Sequence, residues 1–202
     1  MRNKTKNTAV LVTPLAKPEH LFDIDADFIG VDAGWQIIEK AHKPVCFAIG
    51  DFDTGSAPSS TVDFEIFPVR KDETDLQLAL QRAIDLGYEK IIVLGALSGR
   101  LDHTYANLRM ICWDFPQAVL MDEKQKAYVL TEGKHTITDA FRHVSFFACE
   151  DSIVSLHGFE YDGNNLKMGA RQYYGVSNAL KYQSASIDVL KGKVLCIESG
   201  WN

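Results

Sequence analysis

Short, nearly continuous apolar runs alternate along the first half of the chain with segments whose apolar residues recur every three or four positions. Ala9 to Thr13 and Phe28 to Val31 read as strands, and Ile37, Ile38 and Ala41 then continue at helical spacing up to Pro44, which disfavours helix at the residue before it. Val45 to Ile49 is a third strand, followed by Gly50 and a Gly/Ser/Pro-rich stretch from Gly55 to Ser60 that reads as a loop. Phe64 to Val69 is predicted as a fourth strand. Thr74 is the expected N-cap of a helix whose stripe is Leu76, Ala79, Leu80 and Ala83 and which ends at Gly87. Lys90 to Leu94 is apolar almost throughout, as a parallel strand covered on both faces should be. Gly95 to Gly99 forms a turn, a helix runs through His103 to Met110 and ends near Asp114 to Pro116, and Gln117 to Met121 is a further strand.

Beyond Asp122 the texture changes. The runs Ala127–Leu130, His143–Phe147, Ile153–Leu156 and Lys193–Ile197 read as strands, separated by glycines and Asp/Asn pairs with no convincing long helix. The pattern predicts an α/β fold class: an N-terminal domain, residues 1–122, built on an open, mostly parallel sheet, and a C-terminal all-β sandwich, residues 123–202, with the boundary near 122–126.

Composition narrows the function classes. A 46% hydrophobic content over 202 residues supports a packed core and argues against disorder. With 21 Lys+Arg against 27 Asp+Glu the formal net charge is -6, and no basic cluster stands out, so a general nucleic-acid surface is not expected. Cys46, Cys112, Cys149 and Cys196 lie too far apart for a zinc-binding pattern and read as reduced core thiols. The basic start, Met1 to Lys6, precedes an apolar run too short for a signal peptide, and no run approaches a membrane span, so a cytoplasmic location is expected.

Charge patterning adds the chemistry. Gly50-Asp51-Phe52-Asp53-Thr54, Lys71-Asp72-Glu73-Thr74-Asp75 and Gly99-Arg100-Leu101-Asp102-His103 each sit where a strand gives way to a turn or helix, the rim on which open α/β sheets bind ligands. Asp51 and Asp53, two apart in extended backbone, point to one side and suit a shared divalent ion; a Gly-Asp solvated turn accounts for them equally. Asp72 and Asp75, three apart at a helix start, fit the same ion or ordinary capping. Lys71 suits a phosphate or plain solvent, Arg100 offers phosphate a planar fork, Asp102 either holds metal or orients that fork, and His103 fits a supporting or capping role better than that of a base. Neither a GxxxxGK[ST] nor a GxGxxG segment is present, which disfavours P-loop and dinucleotide binding.

These segments, with Ala79-Leu80, Gly95 to Ser98 and Ala106-Asn107-Leu108, resemble the thiamine pyrophosphokinase (thiamine diphosphokinase) family. Gly158-Phe159-Glu160-Tyr161, Leu166, Gly169 and Gly175-Val176-Ser177-Asn178 resemble its substrate-domain pattern, in order and spacing over most of the chain. The resemblance implies an ATP-binding catalytic α/β domain and a β-sandwich that binds thiamine and holds a homodimer with the substrate pocket at its interface. It implies transfer of the pyrophosphoryl group of ATP to the thiamine hydroxyl, giving thiamine diphosphate and AMP, with Mg²⁺. By carry-over, Asp51, Asp53, Asp72, Asp75 and Asp102 form the metal set and, with Arg100, the catalytic set. Lys71, Thr74, Gly99, Arg100, His103, Asn107, Tyr161, Ser177 and Asn178 are carried over as substrate-binding residues. Ser98 stands where a second glycine is usual, Gln77 where an acid is frequent, and Ala179 where an acid often follows Ser-Asn. Tyr161 fits either ring stacking or the edge of a sandwich core. Without the resemblance, the acids also suit a Mg²⁺-dependent phosphohydrolase, and a non-catalytic thiamine- or nucleotide-binding protein is the binding-module alternative.

Overall fold

Burial follows the apolar runs closely in the first half of the chain. The computed structural model describes residues 5–51, 62–68, 72–138 and 141–200. Strands β1 (Thr8–Val12) and β2 (Asp27–Val31) are buried along nearly their whole length. A single 3-10 turn, Pro18–Leu21, lies between them. Helix α1 (Gly34–Lys40) leads to β3 (Val45–Gly50) and β4 (Phe64–Ile66), and α2 (Asp75–Asp85) to β5 (Lys90–Leu94). Helix α3 (Leu101–Trp113) then precedes β6 (Ala118–Met121). The strands pair in parallel in the order β4-β3-β2-β1-β5-β6.

The stripe expected for α2 is the one it buries: Leu76, Ala79, Leu80 and Ala83, with Thr74 as N-cap accepting the Gln77 N–H at 3.1 Å. The fourth strand is shorter than the apolar run suggested. It stops at Ile66, opposite Gly50 where its partner β3 ends, with the Phe67 N–H on Gly50 O as the last bond between them; Val69 lies outside the described residues. Helix α3 begins at Leu101, two residues before the expected start, with Thr104 N–H on Arg100 O as its first turn.

The chain divides into two compact units, residues 1–107 with 117–123 and residues 108–116 with 124–202. In the second, β7 (Gln125–Leu130), β8 (Gly133–Thr138), β9 (His143–Ala148), β10 (Ser152–His157), β11 (Gly163–Met168), β12 (Ser184–Lys191) and β13 (Val194–Ser199) pair antiparallel. The order is β7-β13-β9 in one set and β11-β10-β12-β8 in a four-stranded sheet. Val144, Phe146, Val194 and Cys196 from the first set share one core with Ile137, Val154, Leu156, Ile187 and Val189 from the second. Phe146 and Phe159 meet edge to face inside it, with ring centroids 5.5 Å apart. The strands β8, β11 and β12 were not expected from the pattern: β8 buries only Ile137 and β11 only Met168, too few apolar positions to show a period.

All four cysteines are reduced thiols, three of them buried. No helix of the described residues is long and apolar enough to cross a membrane.

One buried polar group ties the start of the chain to the sheet. Asp27 accepts the Thr5 N–H at 2.8 Å, the Lys6 N–H at 3.0 Å, the Tyr88 hydroxyl at 2.9 Å and the Thr5 hydroxyl. Burial by itself raises the Asp27 pKa, but these donors outweigh it and hold the carboxyl below its ordinary value. A carboxyl depressed in the folded state stabilises fully above its unfolded pKa of about 3.9, and this contribution is lost as pH falls through the lower folded value. Asp27→Ala is expected to cost roughly 2–3 kcal/mol in urea denaturation at pH 7, and the gap from the wild type to shrink below about pH 4.

Candidate active site

The parallel order sets the location. The chain runs outward from β1 through β2 and β3 to β4, then returns to the other side of β1 as β5. Loops leaving the carboxyl ends of β1 and β5 therefore diverge and open a crevice, the place where sheets of this kind take ligands. Thr13 follows β1 and is nearly buried. Its N–H donates to Leu94 O at 3.1 Å and its hydroxyl to Gly95 O at 3.0 Å, joining the two loops at their root.

The turn after β5 is built for close approach. Gly95 has φ +80°, and a Cβ there would lie 2.4 Å from both Ala16 N and Thr13 Oγ1. Gly99, at φ +87°, lies against the Leu15 side chain. Asn107 on α3 donates its amide to Ala96 O at 2.9 Å, so the helix braces the turn that precedes it. Ser98 gives its hydroxyl to the half-buried Asp122 just past β6. Burial raises the Asp122 carboxyl despite that bond and the Gly95 N–H.

Arg100 and Asp102 form a forked pair at the start of α3. Arg100 Nε donates to Asp102 Oδ1 at 3.1 Å and Arg100 Nη2 to Asp102 Oδ2 at 2.6 Å; Asp102 Oδ1 also accepts the His103 N–H at 3.0 Å. The guanidinium pulls the Asp102 carboxyl down to about 2, so the pair is intact at every pH well above that value and is lost only as pH falls through it. Both side chains are largely exposed, leaving the remaining guanidinium edge open to solvent. His103 is exposed in the first turn of α3, with no role visible beyond that backbone bond.

Asp51 is half-buried immediately after β3. Asp72 is exposed before α2, and Asp75 is its first residue, half-buried. Asp53 and Lys71 lie outside the described residues, as does the loop expected over 55–60. Among the described residues no three His, Cys, Asp or Glu side chains gather closely enough to cage a metal by themselves. Mg²⁺ asks for less, since it retains water and takes one or two carboxylates together with substrate phosphates. The hard oxygen donors of Asp51, Asp72 and Asp75 fit it on those terms, whereas Asp102 is committed to Arg100.

In the second unit, Asn178 is 5% exposed and bonded at both ends of its amide. Its Oδ1 accepts the Tyr161 N–H at 3.0 Å and the Ala179 N–H at 2.9 Å, and its Nδ2 donates to Tyr161 O at 3.0 Å. Asn178 thus fixes Tyr161 while burying itself. Ser177 holds a left-handed backbone, φ 60°, with its N–H on Ser145 Oγ at 3.0 Å. Three residues of interest at strand ends were missed from the pattern: Thr13, Asp122 and Asp32. Asp32 has φ 49°, its N–H meets Ile49 O at 2.8 Å, and its Cα lies beside Gly50, next to Asp51. The signal available for Asp32 was an acid directly after a buried strand, in Val31-Asp32-Ala33-Gly34.

A family model described as "Thiamin pyrophosphokinase, catalytic domain" matches residues 19–121. The chain belongs to the thiamin pyrophosphokinase family. It is 26% identical over 189 residues to the thiamine pyrophosphokinase of Bacillus subtilis, covering 85% of this chain and 86% of that protein. The crystal structure of the Bacillus subtilis enzyme superposes with a TM-score of 0.85 at 24% identity, over 96% of this chain and 100% of that one. That of Geobacillus thermodenitrificans thiamin pyrophosphokinase does so with a TM-score of 0.80 at 25% identity, over 95% and 96%. Like those structures, this thiamin pyrophosphokinase family member combines a large sheet with a separate antiparallel one.

Two glycines with positive φ, Gly87 and Gly95, separate close approach from simple turn chemistry. Gly87 also has positive φ, +78°, but nothing lies within 4 Å of a Cβ placed there. Gly87→Ala is expected to lose about 1 kcal/mol, the ordinary cost of a left-handed residue. Gly95→Ala adds a backbone collision and is expected to lose about 3 kcal/mol or more in the same thermal and urea unfolding measurements.

Proposed function

We propose that the protein transfers the pyrophosphoryl group of ATP to the hydroxyl of thiamine, giving thiamine diphosphate and AMP with Mg²⁺. Family membership supports the reaction, and the observation that carries it to particular residues is the Arg100–Asp102 fork on a glycine turn beside the β1/β5 crevice. The first unit is read as the ATP-binding catalytic domain and the second as a β-sandwich that binds thiamine and holds a homodimer. Four reduced thiols favour a cytoplasmic enzyme.

Arg100 meets phosphate oxygens with its open edge, while Asp102 keeps the guanidinium plane from rotating. Because that orientation exists before substrate arrives, the positive charge is already aimed where negative charge grows during transfer. Gly95 and Gly99 let the backbone of the turn come close to the phosphates, and Asn107 keeps that turn in place. Lys71 adds a mobile positive charge, and Thr74 and His103 stand at the helix starts on this rim. Asp51, Asp53, Asp72 and Asp75 hold Mg²⁺, which when bound neutralises the triphosphate. A carboxylate of the same set accepts the proton of the thiamine hydroxyl as oxygen attacks the β-phosphorus and AMP departs. Tyr161, held by Asn178, and Ser177 contribute the thiamine side.

Incubation with ATP, Mg²⁺ and thiamine, read by product mass, should give AMP and thiamine diphosphate in equal amounts. Phosphate released without thiamine would instead mark a phosphohydrolase, and binding without turnover a sensor. Asp51→Asn should remove most turnover with the fold intact. Arg100→Lys, which keeps the charge and loses the fork, should lower kcat roughly tenfold or more, with Arg100→Ala worse. Full activity in Arg100→Ala would return this residue to a solvated turn.

Assembly is open to a separate measurement. The second unit leaves Tyr161, Tyr173, Tyr174, Val176 and Tyr182 exposed, an aromatic surface suited to a partner subunit. Sedimentation at micromolar concentration should show about twice the chain mass. A fully active monomer throughout the assay range is the contrary result.

A further inference from the structure

Three of the four cysteines are buried, and two of those three touch each other. Cys112 lies in the last turn of α3, and Cys149 directly follows β9. Both belong to the second unit, whose segment 108–116 carries the end of α3. The Cys112 thiol donates to the Cys149 sulfur, which also accepts the Leu195 N–H. Cys149 is fixed at its backbone too, with its own N–H on Lys193 O at 2.9 Å. The fold therefore carries two thiols from separate elements to one place and anchors one of them beside β13.

The two sulfurs differ in their surroundings. Donation from Cys112, helped by the Leu195 N–H and the Lys193 ammonium, holds the Cys149 thiol below its ordinary range against burial and the Glu150 charge. Cys112 is pushed up, by that same shared bond and by burial. The pair thus gives up its first proton from Cys149, while Cys112 keeps a proton next to the thiolate. Cys46 and Cys196 have other company: each hydrogen-bonds a tyrosine hydroxyl, Tyr88 and Tyr128, and burial pushes Cys196 up to about 12. A thiolate beside a second thiol is the arrangement in which a first oxidation product is captured as a disulfide before it is oxidised further. Access sets the size of the oxidant. Cys149 is 8% exposed and Cys112 5%, so a bulky disulfide reagent is disfavoured and a small hydroperoxide suits the site.

We propose that Cys112 and Cys149 form a reversible oxidation site, in which Cys149 attacks a hydroperoxide and Cys112 resolves the product. The Cys149 sulfur bonds to one peroxide oxygen, the O–O bond breaks, and the departing hydroxide takes up the proton that Cys149 had released, giving water and a sulfenic acid. The Cys112 sulfur then attacks the Cys149 sulfur. The S–O bond breaks, the Cys112 proton leaves with the hydroxide as a second water, and an S–S bond remains. Two electrons pass from the sulfurs to the peroxide, and a dithiol reductant returns them. The product ties the last turn of α3 to the residue after β9. A transient disulfide of this kind is compatible with a reducing compartment, and the site stands apart from the transfer reaction proposed above.

The test uses the full chain in its folded state, exposed to a small excess of hydrogen peroxide, blocked with a maleimide in urea and mapped by peptide mass without reductant. The expected product is two hydrogens lighter, with the Cys112 and Cys149 peptides linked, Cys46 and Cys196 carrying maleimide, and all four thiols recovered after dithiothreitol. Cys149 should be oxidised about tenfold or more faster than Cys196. Cys112→Ala removes the resolving sulfur, so peroxide should then leave Cys149 as a sulfenic acid that dimedone traps, and in excess as a sulfinic acid that dithiothreitol does not reverse. Should that variant not fold, the map of the wild type decides alone. Cys149 left unoxidised in the folded protein, a disulfide that uses Cys46 or Cys196, or linkage of the pair only in urea overturns the site. A folded Cys112→Ala protein in which Cys149 gives no sulfenic acid does the same.

Discussion

The pairing of β1 with a parallel strand on each side is the constraint from which the first unit's chemistry follows. Because β2 and β5 leave β1 in opposite directions, the loops at its carboxyl end cannot pack over one another, and a crevice remains. Thr13 closes the bottom of that crevice by bonding both Leu94 and Gly95. A side chain at Gly95 would push Thr13 and Ala16 away and separate the loops. Every later element of the site inherits its position from this root: the turn to Gly99, the fork at Arg100, and α3 braced through Asn107.

Electrostatics works locally here, against the sign of the whole. A chain of net charge -6 binds a highly anionic nucleotide only if its acids are organised and its cations are pre-aimed. Asp51 and Asp75 stand at the ends of a strand and a helix, while Asp102 spends its charge on orienting Arg100. The second unit handles polarity differently. Asn178 buries an amide bonded at both ends and fixes the backbone of Tyr161, whose ring is exposed. Asp162 is likewise bonded to backbone, accepting the Phe159 N–H at 2.8 Å, with Lys181 Nζ 4.0 Å away.

Much of the first unit was legible because its strands are covered on both faces and its helices on one. β1, β3 and β5 appear as unbroken apolar runs, and α2 shows its stripe and its Thr74 cap without any knowledge of neighbours. The second unit was less legible at its sheet edges. β8 pairs on one side with β12 and buries a single residue, so backbone ladder rather than side-chain burial makes it a strand. β12 does bury alternate residues, Ala185, Ile187 and Val189, but small and polar residues between them masked the alternation. Phe64 to Val69 erred the other way: an apolar run looked like a longer strand than β3, which ends at Gly50, can pair.

For the site, the amino-acid sequence by itself determined the residue types, their order and the strand ends on which they fall, because those depend on local periodicity and turn chemistry. It identified Asp51, Asp72, Asp75, Arg100 and Asp102 as candidates from that information alone. Only the tertiary structure decided that Asp102 faces Arg100, that Ser98 reaches Asp122, that Asn178 clamps Tyr161 and that Asp162 lines a cavity with Tyr174. Three of these pairings join segments 12 to 24 residues apart, and such contacts are set by how strands and helices pack. The Arg100–Asp102 fork spans only two residues, yet it too needed the structure: a sequence shows that two such groups are neighbours, while the rotamers that join them depend on where the surrounding helix and turn are held.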